Sequence, residues 1–119
     1  MATLEQERAQ FAWECAQESI GAHNGDYGDY VNDTKGLPAL IMNSGLMQVM
    51  AFLHEKGGRH ETLGKHLRDW LHERYQTPAD FNEFMEELLA MEPRRFQDIT
   101  AEALAWLKWL RQIAPALQN

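Results

Sequence analysis

The chain has 119 residues, of which 45% are hydrophobic and 24% are charged, and this composition predicts one soluble globular domain rather than a disordered or fibrous chain. No apolar run reaches the roughly 18 residues that a membrane helix needs, and the acidic N-terminus lacks the apolar core of a secretory signal. The net charge of −7 argues against a general nucleic-acid binder, and the single cysteine, Cys15, cannot form an internal disulfide, which fits a cytoplasmic location.

A first helix is predicted from about residue 3 to about residue 22. Thr3 and Gln6 have the spacing of a capping box, in which each side chain satisfies a backbone donor of the other residue. The predicted inner stripe consists of Leu4, Phe11, Ala12, Cys15, Ala16 and Ile20. Trp13 falls outside this stripe, so we expect it at a boundary or an interface. Glycines then break the helix, and residues 25–30 are predicted as a turn. Residues 29–37 are expected to lead helically into the apolar stretch that follows.

The most apolar stretch, residues 35–57, predicts two helices that meet at an angle. Asn43, Ser44 and Gly45 are typical of a helix end, and Pro38 suits an early helical position. Apolar residues at helical spacing predict that this hairpin is buried and forms the core. They are Leu37, Leu40, Ile41, Met42, Leu46, Met47, Val49, Met50, Phe52 and Leu53.

Three further helices follow the glycine pair at residues 57 and 58. In the first, from residue 59 to about 75, one side carries Leu63, Leu67, Trp70, Leu71 and Arg74, and another carries Lys65, Arg68 and His72. The next is predicted to begin with Thr77 as its cap and to end at Pro93, and its predicted core residues are Phe81, Phe84, Met85, Leu88 and Leu89.

The last helix is predicted to begin at Thr100 and to stop at Pro115, with Arg94 and Arg95 in the connection before it. Its predicted inner stripe is Ala103, Trp106, Leu107, Leu110 and Ile113. Trp109 lies away from the centre of this stripe, which makes it a second candidate interface residue, and Lys108 and Arg111 lie on the outer side. The sequence as a whole predicts an all-α fold, a compact bundle of about six helices in a single domain over residues 1–119.

The histidines do not predict a metal site. His54 and His60 are each followed by Glu, as in zinc-protease helices, but those motifs need a second His four residues on. A separation of six residues rotates about 240° around a helix, onto a different face. Glu83, Glu86 and Glu87 oppose an apolar stripe and are predicted to be solvated. We therefore expect no metal, no cofactor and no enzymatic activity.

Charge is distributed unevenly along the chain. Residues 1–34 carry a net charge of −6, residues 35–76 carry +2, and residues 77–119 carry −3. Four of the five histidines also lie in the middle segment. The middle segment is therefore the one mildly basic region of an acidic protein, although solvated helix faces would explain the same pattern.

The central stretch resembles the small helical subunit of the type III-B (Cmr) CRISPR effector complex. The matching residues are Leu37, Pro38, Ala39, Leu40, Ile41, Gly45, Leu46, Phe52 and Leu53, closed by Lys56. The run from Glu102 to Arg111 is similar to the final helix of that family, and the similarity covers most of residues 3–114. The resemblance implies a non-catalytic structural subunit that binds the other Cmr subunits, and copies of itself head to tail. The stacked copies would lie along the backbone subunits that hold the guide RNA and would help to form the channel for the target RNA.

On this resemblance, we expect the basic residues of the middle segment and the last helix to contact RNA phosphates. The candidates are Lys35, Lys56, Arg59, Lys65, Arg68, Lys108 and Arg111. Two alternatives remain open: a free-standing helical adaptor that binds a partner protein through its Trp and Met residues, and a metal-dependent bundle enzyme that uses the histidines.

Overall fold

The computed structural model describes residues 1–118 and contains six α-helices within that range. Their bounds are α1 Leu4–Ala22, α2 Tyr27–Ser44, α3 Leu46–Lys56, α4 Gly58–Tyr75, α5 Phe81–Ala90 and α6 Pro93–Ala116. No β-strand occurs among the described residues, and none of their helices is long and apolar enough to cross a membrane. The predicted all-α bundle of about six helices is confirmed.

The start of α1 is the predicted capping box. Thr3 Oγ1 accepts a hydrogen bond from the Gln6 backbone N–H at 3.1 Å, and Gln6 Oε1 accepts from the Thr3 backbone N–H at 2.8 Å. Each bond satisfies a donor near the helix start that has no partner inside the helix. The local sequence therefore fixes where α1 begins.

The predicted turn over residues 25–30 is wrong in its second half, because α2 already begins at Tyr27. Tyr27 and Tyr30 are buried and stack with their ring centroids 5.7 Å apart. The Tyr27 hydroxyl donates to the carbonyl oxygen of Ala114 at 2.7 Å. These contacts attach the first turn of α2 to the end of α6, so this segment is part of the core.

Gly45 separates α2 from α3 with a φ of 87°, a conformation that side chains with a Cβ rarely adopt. The predicted break and the core role of the hairpin are confirmed, since Leu37, Ile41, Leu46, Val49, Met50 and Leu53 are buried. Pro38 is not near a helix start, however. It lies inside α2, because that helix begins well before the apolar stretch.

The hairpin is buried on one face only. Met42 is 76% exposed, and Leu40 and Phe52 are also exposed, contrary to the prediction that the apolar residues are all covered. Leu89 of α5 is likewise 73% exposed, although it was predicted in the core. Helical spacing alone assigned these residues to a stripe that is wider than the neighbouring helices can cover.

The cap of α5 is Asp80 rather than the predicted Thr77. Asp80 Oδ2 accepts a hydrogen bond from the backbone N–H of Glu83 at 3.1 Å. Thr77 is buried earlier in the connection, where its carbonyl oxygen accepts a hydrogen bond from His72 Nδ1 at 2.8 Å. Both residues are good capping residues, and tertiary packing decides between them.

The last helix is longer than predicted. Pro93 occupies the first turn of α6 instead of ending α5, because a helix start does not need the backbone N–H that proline lacks. Arg94 and Arg95 are therefore helical, and Thr100 lies inside the helix. Pro115 lies in the last turn, one residue before the helix ends.

α6 is central to the bundle and packs against α1, α2 and α4. Trp106 of α6 is fully buried, with its ring centroid 5.9 Å from that of Phe11 and 6.3 Å from that of Trp70. One turn earlier on α6, the buried carboxylate of Glu102 accepts hydrogen bonds from Arg8 Nε and Nη2, both at 2.7 Å. It also accepts one from Trp70 Nε1 at 3.0 Å. Three helices thus meet at one carboxylate.

Burial alone would raise the pKa of Glu102, but the hydrogen bonds from Arg8 and Trp70 outweigh it and hold the pKa below its usual range. A carboxylate whose pKa is lower in the folded chain than in the unfolded chain stabilises the fold at pH values above its unfolded-state pKa. This contribution is lost as the pH falls from about 4.3 through the folded-state pKa.

We expect Glu102→Gln to lower the free energy of unfolding by about 3 kcal/mol at neutral pH, because it leaves the Arg8 charge without its partner. Urea denaturation followed by circular dichroism measures this change. The control is Glu86→Gln, an exposed position on α5, which should stay within about 0.5 kcal/mol of the wild type. Equal unfolding midpoints for Glu102→Gln and the control would contradict a stabilising role for the carboxylate.

Candidate nucleic-acid interface

Two of the predicted RNA-contacting residues lie close together where α3 is followed by α4. Lys56 is exposed, and its Nζ lies 5.7 Å from the centroid of the Phe52 ring. Arg59 Nε donates to Asp33 Oδ2 at 2.9 Å. The ring of His60 meets that of Phe52 edge-on, with centroids 5.8 Å apart. We call Phe52, Lys56, Arg59 and His60 the α3–α4 corner.

Two glycines shape the α3–α4 corner. Gly57 has a φ of 69° and Gly58 a φ of 54°, both in the left-handed region that favours glycine. This backbone ends α3 and starts α4 without an intervening loop. Lys56 and Arg59 therefore flank this turn, three positions apart in the sequence.

Arg68 is not available to RNA, contrary to the prediction. The residue is only 3% exposed, its Nε donates to the Ala79 carbonyl oxygen at 2.8 Å, and its Nη2 donates to Glu61 Oε2 at 2.8 Å. Its Cζ also lies 5.7 Å from the centroid of the Phe81 ring. The guanidinium joins α4 to the segment that leads into α5. Its charge therefore stabilises the fold and is not presented at the surface.

Glu61 connects this buried arginine to α3. Its other carboxylate oxygen lies 3.1 Å from His54 Nδ1, and the His54 ring stacks on Phe81 with centroids 3.8 Å apart. Burial would raise the pKa of Glu61, but the hydrogen bonds from Arg68 and His54 outweigh it and lower the pKa. His54 is therefore also part of a structural network.

Lys35 and Lys65 lie on surfaces away from the α3–α4 corner. Lys35 is exposed on α2, two residues after Asp33, which is a rotation of about 200° from the side that faces Arg59. Lys65 is exposed on α4, and its Nζ donates to Asp69 Oδ2 at 3.0 Å. The predicted RNA-contacting residues thus do not form one continuous surface.

Lys108 and Arg111 are exposed on α6, as expected for its outer side. Trp109 between them is half-buried, and with Lys108 it lines a groove of about 470 Å³ formed by α1 and α6. Trp13, the other candidate interface residue, is 46% exposed on α1. Both tryptophans therefore offer surface to a binding partner.

Arg8, which also lines this groove, was missed by the sequence analysis. Its partner Glu102 is 94 positions away in the sequence, and no local pattern links the two residues. Its place in the groove follows only from the packing of α1 against α6.

The histidines and the cysteine take part in the fold. His66 Nε2 lies 3.1 Å from Glu18 Oε1, His60 Nε2 lies 3.7 Å from Asp33 Oδ1, and His23 Nε2 lies 2.7 Å from Thr62 Oγ1. Among residues 1–118, no group of three or more His, Cys, Asp or Glu side chains could hold a metal ion. Cys15 is buried, and burial raises the pKa of its thiol.

The fold and its surface define a small all-α protein whose buried polar groups join helices and whose exposed cations and aromatic rings lie on several faces. A sequence model of the family described as CRISPR-associated protein (Cas_Cmr5) matches residues 4–117. A relative from Thermus thermophilus, described as CRISPR system Cmr subunit Cmr5, is 33% identical over 119 residues, which cover 98% of this chain and 97% of the relative.

A crystal structure supports the same assignment. It is described as a CRISPR-associated Cmr5 family protein from Thermus thermophilus, and it matches this fold with a TM-score of 0.80 and 30% identity over 100% of both chains. The chain therefore belongs to the CRISPR-associated Cmr5 family. The resemblance found in the central stretch is confirmed.

We expect Arg68→Gln to destabilise the fold by about 3 kcal/mol, because it leaves the Glu61 carboxylate without its strongest partner and removes the bond to Ala79. Thermal and urea unfolding measure the loss. Lys65→Gln is the matched control, because it removes the same charge at an exposed site on the same helix. A stable Arg68→Gln variant with weakened RNA binding would contradict the structural assignment of Arg68.

Proposed function

We propose that this protein is a non-catalytic structural subunit of a type III-B CRISPR (Cmr) ribonucleoprotein complex that acts in antiviral defence in the cytoplasm. The observation that carries the proposal is the family match over residues 4–117, nearly the whole chain. It is supported by a relative that is described as a Cmr subunit and that aligns with this chain over 97% of its own length.

In this proposal, several copies of the chain stack head to tail along the backbone subunits that hold the guide RNA. A head-to-tail contact joins two different surfaces, so it can continue from one copy to the next. The exposed Trp13 supports such a contact, since tryptophan is common among residues that dominate binding energy. The acidic N-terminal segment and the basic middle segment would attract each other between copies, and salt would weaken this attraction.

The exposed basic residues help to form the channel for the target RNA. The candidates that the fold leaves exposed or half-buried are Lys35, Lys56, Arg59, Lys65, Lys108 and Arg111. Contacts to phosphates give binding that is sensitive to salt and independent of sequence. The sequence of the target is then read by its pairing with the guide RNA, as in other RNA-guided systems.

Cleavage of RNA belongs to other subunits in this proposal. Three side chains that could act as acid, base or nucleophile have structural surroundings instead: Cys15 is buried, His54 Nδ1 lies 3.1 Å from Glu61, and His66 Nε2 lies 3.1 Å from Glu18. A second candidate function, a free-standing protein-binding adaptor, is favoured by the exposed apolar side chains of Met42 and Leu89.

A pull-down of the tagged chain from its native host distinguishes these two functions. We expect repeat-derived guide RNA and larger CRISPR subunits to co-purify, identified by RNA sequencing and mass spectrometry. Recovery of a single unrelated protein without RNA would contradict the Cmr proposal and support the adaptor.

The role of the α3–α4 corner in RNA binding is tested by Lys56→Gln in the assembled complex. We expect weaker capture of target RNA. The slope of log affinity against log salt concentration should also become shallower by about one unit, which corresponds to one lost phosphate contact. The control is Gln17→Glu on α1, an exposed change that lowers the net charge by the same amount. Equal capture by both variants would remove Lys56 from the channel.

A further inference from the structure

The outer side of the α2–α3 hairpin carries a small apolar groove. It is a cavity of about 220 Å³ between the two helices, and we call it the α2–α3 groove. Its lining consists of Leu40, Ser44, Gln48, Val49 and Phe52. Leu40 is 43% exposed and Phe52 is 41% exposed, so two large apolar side chains of the groove remain in contact with water. Covering them would be favourable, because apolar surface is then removed from water.

The α2–α3 groove differs from the other surface cavities in its charge. Four other cavities in the described part of the chain are each lined by at least one carboxylate, whereas none lines this groove. At the α3–α4 corner, Lys56 Nζ lies 5.7 Å from the ring centroid of Phe52. Arg59 is held there by Asp33, and Glu55 projects about 100° around α3 from Lys56. The groove therefore accepts an acidic partner surface that the other cavities would repel.

α5 carries the matching exposed apolar side chain. Leu89 is 73% exposed, although Phe84 and Leu88 of the same helix are buried. Met85, one turn before Leu89, is half-buried, and Glu86 beside it is exposed. We call Met85, Glu86 and Leu89 the α5 ridge. α5 contains three glutamates and no lysine or arginine, so a surface that covers the ridge has to accept an apolar side chain without presenting carboxylates.

The groove and the ridge lie on opposite sides of α3. Phe52 lines the groove, whereas the ring of His54, two positions later, stacks on Phe81 of α5 with centroids 3.8 Å apart. Two positions correspond to a rotation of about 200° around a helix. The α5 ridge therefore cannot fill the groove of its own chain. A second copy in the same orientation presents its ridge towards the groove, and such a contact repeats from copy to copy.

We infer that the α5 ridge of one copy docks in the α2–α3 groove of the next copy, with Leu89 inserted against Leu40 and Phe52. The inference deepens the proposed function, on which it rests for the role of the stack, because it names the two surfaces of the head-to-tail contact. A contact of this size is weak by itself, since stable interfaces bury about 1,200–2,000 Å² in total. Concentrated protein, or a scaffold that aligns the copies, is needed to populate it.

Cross-linking between two cysteine variants of the full chain tests the contact directly. Glu86→Cys places a thiol beside Leu89, and Gln48→Cys places one in the groove, both at exposed positions. Cys15 is buried and does not compete for the reagent. One variant carries a tag, so that the mixed dimer has its own mobility on a gel. With a short bismaleimide, we expect a mixed dimer in the mixture and much less product from either variant alone.

Gln17→Cys is the matched control for the groove position, because Gln17 is exposed on α1 and lies outside the groove. Its mixture with Glu86→Cys should give little mixed dimer. The control also measures the collisions that any two exposed thiols undergo at the same protein concentration.

Sedimentation equilibrium of concentrated protein measures the contribution of Leu89. We expect Leu89→Ser to lower the association constant about tenfold, because the lost side chain is no longer removed from water. Met42→Ser is the matched control, since Met42 is 76% exposed on α2 but does not line the groove, and it should associate like the wild type. Circular dichroism and urea unfolding establish that both variants are folded.

Three results would overturn the inference. They are equal cross-linking of Glu86→Cys to Gln48→Cys and to Gln17→Cys, an association constant of Leu89→Ser equal to that of the wild type, and a wild type that stays monomeric up to about 1 mM. Because these measurements use the isolated chain, they are independent of the pull-down. The Cmr complex can be recovered although this contact fails, and the contact can form although no Cmr complex is recovered.

Discussion

The bundle depends on one buried carboxylate. A charged carboxylate loses its hydration when it is buried, so it is tolerated only if partners replace the water. Arg8 of α1 and Trp70 of α4 supply those partners to Glu102 of α6. The geometry of these bonds orients α1 along α6, and it thereby shapes the groove between the two helices that Lys108 and Trp109 line. The packing of three helices and the groove beside Lys108 thus depend on the same carboxylate.

The sequence predicted those features that a few neighbouring residues determine. The capping box at Thr3, the break at Gly45 and the stripe around Trp106 depend on local backbone geometry or on helical periodicity, and they were found correctly. Pro93 was assigned to the wrong end of a helix because proline is compatible with a first turn as well as with a termination. Only the packing of the whole chain decides between the two.

The candidate site was harder to predict, because exposure depends on residues that are distant in sequence. Helical spacing grouped Arg68 with Lys65, yet the carbonyl of Ala79 and the carboxylate of Glu61 capture the arginine inside the protein. Arg8 was overlooked because its partner, Glu102, lies near the other end of the chain.

The burial of Cys15 has a practical consequence for spectroscopy. A buried thiol with a raised pKa has a very small thiolate fraction at neutral pH, and thiol-directed labels react with the thiolate. Cys15 of the native chain is therefore expected to react only slowly with maleimides. A cysteine introduced at an exposed position such as Gln112 on α6 would carry a spin label or fluorophore without removal of the native thiol. Distances between copies in an assembly then become measurable in an otherwise unaltered protein.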